Sequence, residues 1–392
     1  MQGSDAFHGS KHIDITSNGA AYFRFLTNAR PSSLGVWSSY QMDRKIHART
    51  IRTTEHKGNK SMRPERPTNG HPLRQGDVVE VLSAEEIQAT LDKDGALNGM
   101  VFMPEMIAHL GKRFTVSARV DKACNMVDHS GARRMHSTVY LKDLRCDGSR
   151  HGGCQAGCRI YWKEEWLRRV DDNVAPGIAT GSAGTTELER RAEAATRPAK
   201  GKHENNADFW RCQATDALKA SEPLKRRHLG QYWRELTNGN LPPIRFAVLL
   251  ARAFVMDFAF YTGLIKTLPL QGPGEPSSRD KALNLQPGEL VRVRSPAEIA
   301  ATLDDRGESR GLSFDREMLP HCGRTYRVKS SVRRIIDEKD GRMLKIPKDC
   351  IILDDVYCSG ELSVCGRWFC PRGIYPFWRE SWVERVDDAA RP

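Results

Sequence analysis

Six cysteines in two short runs, Cys146, Cys154 and Cys158, then Cys358, Cys365 and Cys370, are the residues best suited to chemistry in this chain of 392. Thiolates crowded on one loop suit a borderline-soft cation, Zn²⁺ first and an iron–sulfur cluster second. The runs match in order, so the three positions of the first are paired with the three of the second. The fourth ligand follows from hairpin geometry. If the segment after Gly111 runs out as a strand, turns near Ser130-Gly131 and returns to Cys146, the start of that strand lies beside Cys146. Cys124 is then about ten residues, roughly 30 Å, further out. By the same argument Cys322 lies beside Cys358, and Cys322, Cys358, Cys365 and Cys370 form a four-cysteine site. The first run has Leu110 where the second has Cys322. His151, His109 or a water must complete it, and the glycines around His151 favour that residue because they let the loop fold back on a metal. A closed set of four ligands is structural, whereas three plus water would be an open, catalytic site. Cys124, Cys212 and Cys350 read as small buried hydrophobes.

Other chemistry is thinner. Glu105 with His109, and Glu317 with His321, are spaced for acid–base work, but helix capping and ion pairing account for them without any reaction and are the preferred reading. Trp162-Lys163-Glu164-Glu165-Trp166 and Trp378-Arg379-Glu380-Ser381-Trp382 suit either an aromatic ligand platform or a core strand, and the core strand is the simpler reading. No glycine-rich phosphate loop, His-Glu-x-x-His or Gly-x-Ser-x-Gly occurs.

The elements that must position these residues come in two copies. Gly76-Asp77-Val78-Val79-Glu80-Val81 is echoed by Gly288-Glu289-Leu290-Val291-Arg292-Val293, and Ser-x-x-Glu-Ile-x-Ala-Thr-Leu-Asp follows in both, at Ser83–Asp92 and Ser295–Asp304. Alternation of Val and charge predicts an opening strand. Ser83 with Glu86, and Ser295 with Glu298, predict capping boxes for a short helix. A second helical turn near Pro104–His109 ends at Gly111, and its counterpart at Gly323. Strands near 113–120 and 139–144, a cysteine loop and a strand with both tryptophans complete each copy. The expected fold is α+β: two tandem SH3-like, β-rich small-barrel modules with cysteine-cluster metal sites, separated by a small helical segment.

The boundaries follow from composition. Residues 1–75 form a disordered basic segment, 76–172 the first copy, 173–206 a flexible or partly helical linker, 207–265 a helical segment, 266–287 a linker and 288–388 the second copy. The net charge is +12, and residues 1–75 hold twelve Lys/Arg against five Asp/Glu. Most of the excess is therefore in the tail, which predicts weak, sequence-independent binding of nucleic acid. The longest apolar run, Phe246–Ile265, carries Arg252 and Asp257, so no transmembrane span is expected. Met1–Thr27 shows no secretory signal, and clustered cysteines without one point to the cytoplasm.

The stretch Arg145-Cys146-Asp147-Gly148 through His151-Gly152-Gly153-Cys154-Gln155-Ala156-Gly157-Cys158, with Trp162-Lys163-Glu164 and Trp166-Leu167, resembles an uncharacterised group of bacterial proteins with a repeated cysteine-rich module. Glu105-Met106 and Gly111-Lys112-Arg113-Phe114 fit the same pattern. Members carry a cysteine before that glycine, where this chain has Leu110 and Cys322. The resemblance implies a bacterial, cytoplasmic protein and no stated activity. The expected function is a non-enzymatic, zinc-stabilised binding or scaffold protein for an unknown macromolecular partner. The alternatives are a zinc-dependent enzyme with an open site in the first copy, or a nucleic-acid binder using the basic tail.

Overall fold

Extended, half-buried Val-rich segments open each half of the protein, and a computed structural model shows what they build. It describes residues 71–127, 131–170, 182–197, 208–225, 228–266, 268–273, 282–346, 349–363 and 367–386. All of these fall in one unit, Val36–Pro392. The expected basic tail up to residue 70, and Cys365, lie outside the described residues.

The first half contains strands β1 (Val78–Val81), β2 (Ala96–Leu97), β3 (Met100–Val101), β4 (Arg113–Arg119), β5 (Lys122–Cys124), β6 (Ala132–Met135), β7 (Thr138–Arg145), β8 (Arg159–Lys163) and β9 (Leu167–Arg169). Helix α1 (Ala84–Thr90) follows β1, and Ser83 and Glu86 form the expected capping box. Five strands make an antiparallel sheet in the order β8-β7-β4-β1-β9. Its edge strands β8 and β9 are consecutive in the chain, joined by one 3₁₀ turn, Glu164–Trp166. In a flat sheet they would stand roughly 19 Å apart, four spacings of about 4.8 Å, whereas three 3₁₀ residues advance only about 6 Å. The sheet therefore curls into a half-barrel.

Between the halves come α2 (Ser182–Thr196), α3 (Gln213–Asp216), strand β10 (Ser221–Leu224), α4 (Gly230–Thr237) and α5 (Pro243–Tyr261). The segment expected to be a flexible or partly helical linker thus contains α2, a regular helix. Leu188 and Ala192, four residues apart, are enough to seat it in the first half's core. Nor is the next segment separate from the first half. Buried Gln213 accepts from the Tyr161 N–H (2.8 Å) and donates to the carbonyls of Tyr161 (2.8 Å) and Val101 (3.1 Å), as a strand neighbour would.

The second half holds β11 (Leu290–Val293), α6 (Pro296–Ala300), β12 (Glu308–Ser309), β13 (Leu312–Ser313), β14 (Thr325–Ser331), β15 (Arg334–Ile336), β16 (Met343–Lys345), β17 (Cys350–Leu353), β18 (Trp378–Arg379) and β19 (Val383–Arg385). Its sheet order, β18-β17-β14-β11-β19, is that of the first half strand for strand. Both sheets carry an irregularity at one place, between Val116 and Ala118 and between Val328 and Ser330. The tryptophan motifs are part strand and part 3₁₀ turn rather than one strand. All four indoles are fully buried, so they form no exposed platform. Trp166 and Trp382 donate from Nε1 to Thr90 (3.0 Å) and Thr302 (2.9 Å). The glutamates of the motifs clasp the incoming chain: Glu164 accepts from the Leu73 N–H (3.0 Å), and Glu380 from those of Asn284 (2.8 Å) and Leu285 (3.1 Å). The chain is therefore tied to the first half's sheet already at Leu73, before Gly76.

In each half a β arm projects from the sheet: β5–β6 in the first, which β10 extends to three strands, and the two-stranded β15–β16 in the second. The arms reach across. Ile335, Ile336 and Leu344 of the second arm are buried in the first half's core. Lys122 of the first arm lies over the Trp368 ring of the second half, 4.0 Å from its centroid.

Candidate metal centre

Cys146 follows directly on β7, and its N–H donates to the Cys158 carbonyl at 2.8 Å, closing the base of the cysteine loop. The loop turns sharply because Gly148 takes φ +70°, with the Cys154 carbonyl oxygen only 2.0 Å from where a Cβ would sit. The N–H groups of His151 (3.2 Å) and Gly153 (2.9 Å) both donate back to the Gly148 carbonyl. This folding-back carries the His151 side chain inward, where the residue is 1 % exposed.

Inside, His151 Nε2 lies 3.3 Å from Cys146 Sγ and Nδ1 lies 2.8 Å from Glu105 Oε1. Glu105 comes from the 3₁₀ turn Pro104–His109 and also accepts from the Arg150 N–H at 3.1 Å. Arg150 in turn pairs with Glu189 and, at 2.8 Å, with Glu193 of α2, so that helix clamps the loop. Among the described residues, Glu105, Cys146 and His151 are the group of donors that could hold a metal ion, with ligand atoms all within 4.8 Å of one another. Burial raises the Glu105 carboxyl, but the hydrogen bond and charge of His151 outweigh it and hold the group below its ordinary range. Burial, with Glu105 and Cys158 adding to it, pushes the Cys146 thiol far up.

A tetrahedral zinc with Zn–S of about 2.3 Å and Zn–N of about 2.0–2.1 Å sets sulfur and nitrogen roughly 3.5 Å apart. The 3.3 Å between Cys146 Sγ and His151 Nε2 is close to that edge. Glu105 Oε2 is buried with no hydrogen-bond partner among the described residues, and a cation would satisfy it. Cys146, His151 and Glu105 also stand in the order of nucleophile, base and orienting carboxylate. A thiol pushed up by burial, beside a histidine closed off from solvent, speaks against that use.

The expected ligands are thus only partly gathered. Cys146 and His151 meet, while Cys154 and Cys158 stand outside the tight group. Cys154 Sγ accepts from the Ile336 N–H of the second half's arm at 3.4 Å. Burial, followed by Glu338, pushes the Cys158 thiol up to about 12. Cys212, expected only to fill space, is buried beside these two and each of them raises its thiol further. Glu105 carries the greater surprise, because its partner is His151 and not His109. His109 packs edge-on against Phe114 and Trp162, and His321 Nδ1 meets the Tyr326 hydroxyl at 2.6 Å.

In the second half Glu317, the counterpart of Glu105, is saturated by its loop. It accepts from the Ser359 N–H (3.1 Å) and hydroxyl (2.7 Å), the Leu362 N–H (2.7 Å) and the Ser363 hydroxyl (3.0 Å). Cys322, Cys358 and Cys370 do not form a tight donor group among the described residues. Cys322 is half-buried against the second half's apolar core. The pairing of the two cysteine runs also needs correction. Gly148 packs on the Cys154 carbonyl and Gly360 on the Cys370 carbonyl, while the Cys146 N–H donates to Cys158 and the Cys358 N–H to Ile374. Cys154 therefore matches Cys370, and Cys158 matches Ile374. Eleven residues separate Cys358 from Cys370 where seven separate Cys146 from Cys154, and that four-residue insertion shifts the apparent register of the runs.

No family model matches this chain, and neither does any curated protein or solved structure.

Proposed function

We propose that this protein is a non-enzymatic binding or scaffold protein made of two duplicated SH3-like modules, with zinc held as a structural staple in the first. The observation that carries the metal assignment is the buried set of Cys146 Sγ, His151 Nε2 and the orphaned Glu105 Oε2. With three donors the fourth position of a tetrahedral zinc stays open, and the structural assignment rests on the burial of the His151 and Glu105 side chains, 2 % and 5 % exposed, which leaves a substrate little access. The module assignment is supported by the shared strand order, by the arms between β4 and β7 and between β14 and β17, and by the 3₁₀ turn that carries the chain from one sheet edge to the other. A scaffold reading accords with a loop held at Arg150 and His151 by Glu105 and α2 together, leaving little freedom for a substrate.

Elemental analysis of the full chain, purified without added metal, tests the assignment. About one zinc per chain, lost together with thermal stability on chelation, is the expected result, and protein stable without metal would overturn it. One observation favours a second reading. Only three donors converge, which leaves a tetrahedral zinc one position for water and hence for hydrolytic chemistry. Under that reading His151→Ala would abolish turnover of a hydrolysable substrate while the fold persisted.

A further inference from the structure

Among the described residues, exposed apolar surface is concentrated in one place: ten of the eleven exposed large hydrophobic side chains lie between Leu229 and Leu264, on and around α4 and α5. Helix α5 is seated by one stripe, Phe246, Leu249, Ala253 and Asp257, the first three packing with Trp368 and Phe369 of the second half. Asp257 accepts from Trp368 Nε1 at 3.3 Å and locks that face inward. The outward face is apolar as well: Ile244 is 83 % exposed, Val255 and Phe258 67 % each, and Leu264 76 %. Trp233 of α4 is exposed as well, and its neighbour Tyr232 packs against Phe254 of α5. A helix apolar on all sides is ordinarily buried on all sides; this one is half covered.

The charges of the segment are sorted. Residues 228–266 contain two acidic side chains, Glu235 and Asp257, and both are buried, at 4 % and 8 % exposure. Three of its four Arg and Lys side chains are outside: Arg245, Arg252 and Lys266 are exposed, Arg245 sharing its charge with Glu361 of the second half, while Arg234 is half-buried. An apolar face flanked by cations and free of exposed carboxylates complements one partner best, a surface of lipid tails capped by anionic headgroups. Among the described residues no helix is long and apolar enough to cross a membrane, so the contact of α5 is one of lying on the bilayer and not of spanning it. We propose that the outer face of α5, with Trp233 of α4, docks in the plane of an anionic lipid bilayer, burying its apolar side chains at the headgroup boundary. This inference does not depend on the metal centre; it supplies a partner for the scaffold.

The test is co-sedimentation of the full chain with vesicles of phosphatidylcholine alone and of phosphatidylcholine mixed with phosphatidylglycerol, at physiological salt. Binding to the mixed vesicles is expected, with weaker binding to neutral ones. Arg252→Glu should weaken the anionic preference by at least about fivefold, the scale of one basic residue at such a surface. The double variant Val255→Glu with Phe258→Glu should abolish binding. Both positions are exposed, so its melting temperature should match that of the parent, which separates lost docking from lost folding. Failure of the parent to bind anionic vesicles would overturn the proposal. So would undiminished binding by the double variant, which would place the lipid contact elsewhere in the chain. A concentration-dependent dimer that the double variant abolishes, with no vesicle binding, would overturn it in favour of a second copy of this chain on the same face.

Discussion

The backbone N–H of Cys124 donates to Cys370 Sγ at 3.1 Å, across 246 residues of sequence. Its mirror is the Ile336 N–H on Cys154 Sγ at 3.4 Å. Each half thus sends an arm to the other's cysteine loop. Arg372 ties the exchange together: it donates to the Cys124 carbonyl at 3.3 Å and holds Glu338 with two hydrogen bonds, of 3.2 and 2.7 Å.

Ile336 tests whether the two halves share one stability. It belongs to the second half yet is buried in the first half's core. Ile336→Ala should cost about 2–4 kcal/mol, and urea unfolding followed by tryptophan fluorescence should still show one transition, at a lower midpoint. Two separated transitions in the parent protein would show that the arms do not couple the halves.

Glu105→Gln keeps the size of the side chain and replaces a carboxylate donor by a neutral amide. Zinc affinity, measured by competition with a chromophoric chelator, should fall by at least the roughly 10–100-fold that loss of an outer-shell partner costs, with far-ultraviolet circular dichroism unchanged. Cys322→Ser should leave that affinity where it was. An unaltered affinity in Glu105→Gln would remove Glu105 from the site.

Gly148→Ala places a methyl group 2.0 Å from the Cys154 carbonyl oxygen, at φ +70°. The loop then has no way to turn His151 inward. Zinc content should drop well below that of the parent, and a fully loaded variant would show that the fold-back is dispensable.

Glu235 sets a pH dependence. Burial raises its carboxyl to about 7, against the opposing effects of the Asn238 hydrogen bond and of Lys122; Asp121 adds to the rise and Arg234 opposes it. The folded state therefore holds a proton that the unfolded state releases near pH 4.5. Stability from this group is present below that value and lost as the pH rises through about 7. Glu235→Gln should raise the melting temperature at pH 8 and leave it nearly unchanged at pH 4. The reverse pattern in a thermal melt series would contradict the assignment.

Local signals read well from the sequence. The capping boxes at Ser83 and Ser295, the glycine stops at Gly111 and Gly323, and the matched elements of the two halves all depend on neighbours a few residues apart. His151 was legible for the same reason, since the glycines that fold its loop lie beside it. Glu105 was misread because its partner is 46 positions away in sequence, while His109, four positions away, looked like the natural choice. Cys124 was correctly expected at the far tip of its hairpin. That the tip ends against Cys370 of the other half is a tertiary fact with no periodicity to announce it. The matching of Cys158 to Cys370 failed for a related reason: cysteines attract alignment, whereas the backbone turns at Gly148 and Gly360 fix the register.

The reciprocal arms carry a consequence for how such a chain can change over time. If each half lends the other two strands, neither half is complete when cut away, and loss of one strips an apolar arm of its cover. A single half expressed alone would meet its lost partner only in another molecule, handing its arm across as domain-swapped chains do. Joined in one polypeptide, the halves become obligate companions with freedom to differ. One brings a cysteine, a histidine and a glutamate together, while the other spends its matching glutamate on its own loop. Division of labour between halves is safest where separation is already impossible.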